Sequence, residues 1–239
     1  MIEVEAIGRF GVWYVVFLLT LTLHEAGHAL VAWLGGDDTA YRGGQVSMNP
    51  WPHIRREPVG TIVFPILTFF FSGWMMGWAS SPYDPSWGRR HPKRLAAMSA
   101  AGPAANLLLA ALVFATLKIL LRLGVFVAPE RISFTHVVEP PPGTSPDSLV
   151  HAVAFILSVA MDLNVLLFMF NLTPLPPMDG SGIVQGLLPG SAGALLESLG
   201  RNPMTTILGL MIAWRVFDLI FPPAFSVLLT LLHPGVPYN

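Results

Sequence analysis

The protein has 239 residues, of which 53% are hydrophobic and only 11% are charged, and its mean hydropathy is +0.61. Soluble domains carry about 25% charged residues, so this composition excludes an ordinary soluble protein and predicts an all-α, multi-pass membrane protein. The formal net charge of −1 gives no electrostatic reason to expect nucleic-acid binding. The absence of cysteine excludes disulfides, thiolate zinc ligands and a cysteine nucleophile.

Long apolar runs predict a polytopic helical bundle with about four to five membrane-spanning helices. One further run, 59–83, is predicted either to span or to be re-entrant, turning near Ser72 and Gly73. The acidic start of the chain does not resemble a secretory signal, so we expect the first helix to be retained. No polar segment has room for a second domain, which predicts a single domain, 1–239. The predicted spans are 10–34, 95–117, 148–172 and 204–232; the polar loops are 35–58 and 122–147, and 181–203 is a surface-lying amphipathic segment.

The first predicted helix carries the sequence His24-Glu25-Ala26-Gly27-His28. On a helix, His24 and His28 lie one turn apart on the same face, where two imidazoles can bind one zinc ion. Glu25 can act as the general base that activates a water molecule. These three side chains are costly in a membrane helix unless they are paired or functional, which favours a zinc site over a chance match. We expect the ion to lie about 10 Å from the C-terminal end of this helix.

A catalytic zinc ion usually has three protein ligands and one open position, so a third ligand is expected. Asp179 is the preferred candidate, because it follows an apolar helix and a proline-rich stretch that unwinds the backbone at membrane depth. The alternative is an ordinary solvated turn at Asp179 and Gly180. Asp162, inside the preceding helix, is a weaker candidate. The remaining histidines show no spacing that pairs them with the first two: His53, His91, His136, His151 and His233.

Four more polar residues in the apolar helices call for an explanation. Asn106 is predicted to donate a hydrogen bond to a developing oxyanion, and the alternative is a hydrogen bond that joins two helices. Asn164 is predicted either to orient a zinc ligand or to join helices. In the last helix Arg215 and Asp218 are three residues apart, which predicts an ion pair within the membrane.

Three separated motifs, in this order, resemble the site-2 protease family of intramembrane zinc metalloproteases. The first is the His-Glu-x-x-His sequence at 24–28, the second is Ala101-Gly102-Pro103-Ala104-Ala105-Asn106, and the third is Asn171-Leu172-Thr173-Pro174-Leu175-Pro176-Pro177-Met178-Asp179-Gly180. The stretches 46–50 and 71–79 are also similar to the compact bacterial and archaeal branch, which lacks PDZ and CBS domains.

The resemblance implies that His24, His28 and Asp179 bind one zinc ion per chain, with Glu25 as the catalytic base. It implies that Asn106 helps to hold the substrate or the oxyanion. The implied activity is the hydrolysis of peptide bonds in membrane-spanning proteins, within the lipid bilayer of a bacterial or archaeal cell membrane. A regulatory membrane partner is compatible with this class, and nucleic acid has no part in it.

A membrane-spanning substrate must unwind before its peptide bonds become accessible, so we expect the enzyme to offer an edge strand or an extended groove, with Gly43–Asn49 as the candidate for that edge. The distribution of basic residues predicts the orientation of the site. If 59–83 is re-entrant, eight basic residues share the side of the site and three lie opposite, whereas full crossing gives five against six. The positive-inside rule then predicts a site near the cytoplasmic face. The eight are Arg42, Arg55, Arg56, Arg89, Arg90, Lys93, Arg94 and Arg201, and the three are Arg9, Arg122 and Arg131.

Two other functions fit part of the pattern. A zinc transporter or a catalytically inactive metal-binding membrane protein would also carry zinc ligands. A different class of membrane zinc protease takes its third ligand from a glutamate on a later helix. The glutamates available for that role lie in or near predicted loops, without the expected helical context: Glu130, Glu139 and Glu197.

Overall fold

The structure is a computed structural model that describes residues 4–188, 190–236 and 238. Within the described residues, 4 helices are long and apolar enough to cross a membrane. They confirm the prediction of an all-α integral membrane protein. These helices are α1 (Val4–Leu34), α6 (Pro92–Arg122), α7 (Leu149–Asn171) and α10 (Pro203–Leu232). The shorter helices are α2 (Thr39–Arg42), α3 (Trp51–Arg56), α4 (Phe64–Ser72), α5 (Pro85–Arg90), α8 (Asp179–Leu187) and α9 (Ser191–Arg201).

The segment 59–83 folds back on itself. A π-helical turn, Val59–Val63, leads into α4, and Gly73 then reverses the chain with a φ of 78°, a left-handed conformation that glycine adopts readily. The chain returns without helical structure, and the Trp78 amide donates to the Gly60 carbonyl at 3.1 Å. Because the chain returns to its starting point, the structure adopts the re-entrant alternative and not the full crossing.

Helix α6 is the centre of the bundle and packs against α1, α7 and α8. It lies so close to α1 that a Cβ on Gly27 would be 2.9 Å from the Ala101 carbonyl oxygen. The C-terminal half of α1 therefore meets the N-terminal half of α6, and the C-terminus of α7 arrives at the same level. We call this end of the bundle the site end.

Apolar side chains fill the rest of the bundle in two main clusters. One joins α1 and α7 to the re-entrant segment through Trp13, Phe17, Phe69 and Val159. The other lies at the opposite end, where the loop 123–148 packs onto α6, α7 and α10, and its buried members include Leu117, Phe126, Val137, Met161 and Leu229. The clusters fix the depth at which the polar side chains of α1, α6 and α7 meet.

Two local predictions are wrong. Gly43–Asn49 forms turns and bends and not an edge strand, because Gly44 takes a φ of 73° and the Gln45 amide is bonded back to the Ala40 carbonyl. Arg215 and Asp218 form no ion pair among the described residues, and both side chains are exposed on α10.

Candidate metal centre

The structure brings together the three side chains that the sequence selected as metal ligands. His24 and His28 lie on one face of α1, with their Nε2 atoms 3.1 Å apart. The Asp179 Oδ2 atom lies 3.1 Å from the first of these nitrogens and 3.3 Å from the second. Tetrahedral zinc with nitrogen and oxygen ligands at about 2.0–2.1 Å would separate the ligand atoms by about 3.3 Å. The three atoms therefore fit a single zinc ion.

Both imidazoles are held by their other nitrogen. His24 Nδ1 donates to Asn106 Oδ1 at 2.6 Å, and His28 Nδ1 donates to the Met98 carbonyl at 2.7 Å. With the proton on Nδ1, each ring presents the lone pair of Nε2 to the shared space, which is the tautomer that metal binding requires.

Asn106 is completely buried, and both ends of its amide are in use. Its Oδ1 accepts from His24, and its Nδ2 donates to Asn164 Oδ1 at 3.0 Å. Asn164 in turn donates to Thr20 Oγ1 at 3.1 Å. A chain of hydrogen bonds thus links α1, α6 and α7 behind one candidate ligand. The contact of Asn106 with an oxyanion stays a prediction.

Two further observations show that the space between the three ligand atoms suits a cation. Asp179 Oδ2 is buried and, with both imidazoles protonated at Nδ1, accepts no hydrogen bond among the described residues. A Cβ on Gly102 would lie 2.2 Å from His28 Nε2 and 2.6 Å from His24 Nε2. Only glycine at position 102 keeps this space open.

Asp179 reaches the site because the chain unwinds before it. Residues 172–178 form turns after α7, and Asp179 is the first residue of α8. Gly180 lets this turn close, since a Cβ there would be 2.3 Å from the Leu172 carbonyl oxygen. Burial raises the pKa of Asp179, but His28 and His24, when their rings are protonated, outweigh burial and hold this pKa well below its usual range. The carboxylate is therefore anionic.

Glu25 opens onto the same cleft as two of the candidate ligands, His28 and Asp179. The cleft has a volume of about 470 Å³ and is lined by Glu25, His28, Ser80, Met98, Asp179 and Gln185, among others. The Glu25 side chain is buried, and its backbone carbonyl accepts from Ser81 Oγ at 2.8 Å. A carboxylate next to the candidate metal site, facing a cleft, is placed for proton transfer.

The returning arm of the re-entrant segment forms one wall of this cleft, which the sequence analysis missed. Gln45 is buried and donates from Nε2 to the Ser80 carbonyl at 2.9 Å, and Ser80 Oγ donates to Glu57 Oε1 at 2.7 Å. Among the described residues, no acceptor engages the backbone N–H groups of residues 79–81. The signal in the sequence was the stretch after Gly73, which has no helical periodicity.

His53 is a second feature that the sequence analysis missed. It is buried in α3, and its Nε2 has no hydrogen-bond partner among the described residues. Burial lowers its pKa, while Glu25 and the Ser47 carbonyl act in the opposite direction, so the ring is neutral at pH 7. His53 therefore adds a neutral imidazole within the electrostatic range of Glu25.

The other candidate ligands do not join the metal centre. Among the described residues, the group able to hold a metal ion consists of His24, His28 and Asp179. Asp162 is fully buried in α7, outside this group, and neither of its carboxylate oxygens has a partner among the described residues. Three glutamates also lie outside the group, which removes the structural basis for a glutamate ligand: Glu130, Glu139 and Glu197.

Comparison with known proteins decides the family. Residues 12–214 match the sequence model of peptidase family M50, the site-2 protease family. The chain belongs to this family. Membership makes it a metallopeptidase of the membrane that acts on peptide substrates, and it implies zinc as the metal.

Two relatives agree with this assignment. The chain is 30% identical over 228 residues to the Bacillus subtilis (strain 168) protein named "Putative zinc metalloprotease YwhC", covering 87% of this chain and 92% of the relative. It is 27% identical over 169 residues to "Putative zinc metalloprotease Rip2" of Mycolicibacterium smegmatis (strain ATCC 700084 / mc(2)155), covering 71% of this chain and 54% of the relative. No solved structure matches the chain.

Proposed function

We propose that the protein is a zinc metalloendopeptidase that cleaves membrane-spanning proteins within the bilayer. The observation that carries the proposal is the group His24, His28 and Asp179, whose ligand atoms lie within 4.8 Å of one another beside Glu25. His24 lies ten residues before the end of α1, about 15 Å along the helix. This depth supports a reaction within the membrane, and we propose that 1–239 acts as one catalytic domain.

In the proposed reaction the residues of the chain handle the protons and the orientation of the groups. Bound zinc supplies a Lewis acid that polarises the scissile carbonyl and lowers the pKa of water to about 7. Glu25 accepts the proton of the attacking water and passes it to the leaving amine nitrogen. Asn106 and the Met98 carbonyl hold His24 and His28 in the required tautomer. The low exposure of Glu25, 5%, limits the water that competes with substrate.

The substrate in this proposal is an extended segment of an unwound transmembrane helix. Residues 79–81 lie along the wall of the cleft next to Glu25, and their backbone N–H groups have no acceptor among the described residues. Backbone hydrogen bonds to an added strand do not depend on side chains, so this wall suits peptides of varied sequence. It takes the role that the sequence analysis gave to Gly43–Asn49.

We also propose that the site end faces the cytoplasm of a bacterial or archaeal cell. The re-entrant path of 59–83 supports this orientation, since it leaves eight of the basic residues named above on the site end and three on the opposite end. Short loops rich in arginine and lysine stay on the cytoplasmic side. A regulatory membrane partner that selects substrates is also part of the proposal.

The test is co-expression with a panel of single-span membrane proteins, comparing wild type with Glu25→Gln. We expect both forms to purify with one zinc ion per chain and only the wild type to cleave members of the panel. A wild-type protein without zinc contradicts the proposal. Equal zinc content combined with zinc uptake into vesicles by both forms would instead establish a transporter.

A further inference from the structure

Two opposite charges lie on the outer surface of α10. Arg215 and Asp218 are exposed, and neither has a partner among the described residues. Arg215 lies about 18 Å from the start of α10, and Asp218 about 21 Å from its end. The hydrocarbon layer is about 30 Å thick, so both charges lie deep within it.

These charges face away from the rest of the protein. With 3.6 residues per turn, they share a stripe with residues that are exposed as well. The opposite face of α10 packs on the bundle through Gly209, Ala213 and Phe217, which are buried. In a single chain, no described residue covers the stripe, so the stripe faces lipid. The other members of the stripe are Met204, Leu208, Met211, Leu219 and Pro222.

The same place on the helix also lacks backbone hydrogen bonds. Pro222 and Pro223 lie inside α10 and have no N–H group, so the carbonyls of Asp218 and Leu219 lose their helical donors. Backbone groups freed by proline in membrane helices are normally satisfied by a neighbouring helix. Charged side chains in membrane helices likewise face a protein interior or a partner charge. Both features indicate that another helix covers this stripe.

We propose that the stripe is the interface with a second copy of this chain. In a parallel pair related by a twofold axis along the membrane normal, Arg215 meets Asp218 of the partner subunit twice. The axial offset of three residues is about 4.5 Å, which the long arginine side chain spans. In this pair Arg215 also reaches the Asp218 carbonyl, which Pro222 leaves without a helical donor. A partner helix of another sequence would need an acid and a base at matching depth, whereas a second copy carries both by symmetry.

Cysteine cross-linking tests the face and the partner together, because the natural chain has no cysteine. Leu208→Cys and Met211→Cys place the thiol on the stripe. Leu210→Cys and Ile220→Cys are matched controls, since both positions are exposed, at 42% and 52%, but point about 140° away from it. In oxidised native membranes we expect a disulfide-linked dimer from the stripe variants only.

A charge-reversal pair tests the ion pairs themselves. Arg215→Asp gives a chain with two acids on the stripe, and Asp218→Arg gives one with two bases, so each variant repels its own copies. Mixed together, the two variants restore both ion pairs. With two affinity tags, we expect each variant to lose self-association at least about tenfold, and the mixture to recover it.

Each outcome decides the proposal. Cross-linking of the control face, or none from the stripe, overturns it. A cross-linked product with the mass of a different protein shows that the stripe binds that protein and overturns the second-copy assignment. Recovery by the mixture also shows that the variants fold. The readout does not depend on zinc or cleavage, so the proposed function stands or fails separately.

Discussion

The metal centre and the outer face of α10 both place polar side chains inside the membrane. They differ in whether those side chains have hydrogen-bond or ion-pair partners within the chain. At the metal centre, His24 is bonded to Asn106, Asn106 to Asn164, and Asn164 to Thr20, so three helices of one chain share the polar atoms. On α10, Arg215 and Asp218 have no hydrogen-bond or ion-pair partner among the described residues. The fold therefore pairs the polar side chains of its site within one chain, and it leaves the two charges of α10 without partners among the described residues.

Small residues make the difference between the two regions. Gly27 and Gly102 let α6 approach α1 until backbone and imidazole are in contact. Helix α10 makes one such approach, where Gly209 lies against the Pro176 carbonyl, and otherwise it packs through aromatic rings such as Trp214 and Phe217 against Phe170. Close backbone approach brings polar atoms within hydrogen-bonding distance, whereas large rings keep helices apart.

The largest effect is expected at Gly102. Gly102→Ala places a Cβ 2.2 Å from His28 Nε2 and 2.6 Å from His24 Nε2. Both distances are far shorter than a van der Waals contact, so the two imidazoles must move. We expect zinc content below about a tenth of the wild-type value and no cleavage. Metal analysis of the purified protein measures this. Gly11→Ala is the control, because nothing lies within 4 Å of a Cβ there. Full zinc content in Gly102→Ala would show that α6 does not hold the ligands together.

The next effect concerns the hydrogen bond behind His24. Asn106→Ala removes the acceptor of Nδ1, and we expect zinc affinity to fall about 10- to 100-fold, as for other residues that orient metal-bound histidines. Asn106→Asp keeps an oxygen acceptor and should recover most of the affinity. Competition with a chelator measures it. Unchanged affinity combined with lost cleavage would instead favour the oxyanion role predicted from the sequence.

A smaller effect is expected at the wall of the cleft. Gln45→Met keeps the shape of the side chain but removes the donor to the Ser80 carbonyl, a partly buried hydrogen bond worth about 1 kcal/mol. We expect KM for a cleaved substrate to rise about fivefold with kcat nearly unchanged. Asp38→Asn, which removes only an exposed ion pair with Arg42 in the same loop, is the control. A fall in kcat alone would contradict a binding role for residues 79–81.

The smallest effect on the site is expected from α10. Replacing both Arg215 and Asp218 with leucine should leave zinc content and cleavage per chain within about twofold of wild type, because distant independent sites combine additively. The same variant should migrate as a monomer in mild detergent. Loss of zinc from this variant would show that α10 and the metal centre are coupled.

Much of the fold follows from patterns within single segments. Hydropathy predicts the four long helices, because a helix must bury about 20 apolar residues to cross the bilayer. The His-Glu-x-x-His sequence places two ligands on one face of α1, because residues i and i+4 are neighbours on any helix. The prolines before Asp179 indicate where the backbone unwinds. The prediction of Gly43–Asn49 as a strand failed, because its glycines also favour the turns that the structure forms.

What the sequence determined by itself is thus a membrane metallopeptidase class, its helices and three candidate ligands. Only the tertiary structure decided that Asn106 contacts His24, that Gly102 keeps the metal space open, and that Gln45 holds the wall of the cleft at Ser80. It also showed no ion pair between Arg215 and Asp218, although their spacing in the sequence predicted one. The physical reason is sequence separation. Helical periodicity and hydropathy depend on residues that are close together in the sequence. The contacts that complete the site join residues 35 to 82 positions apart, and packing alone sets their distances.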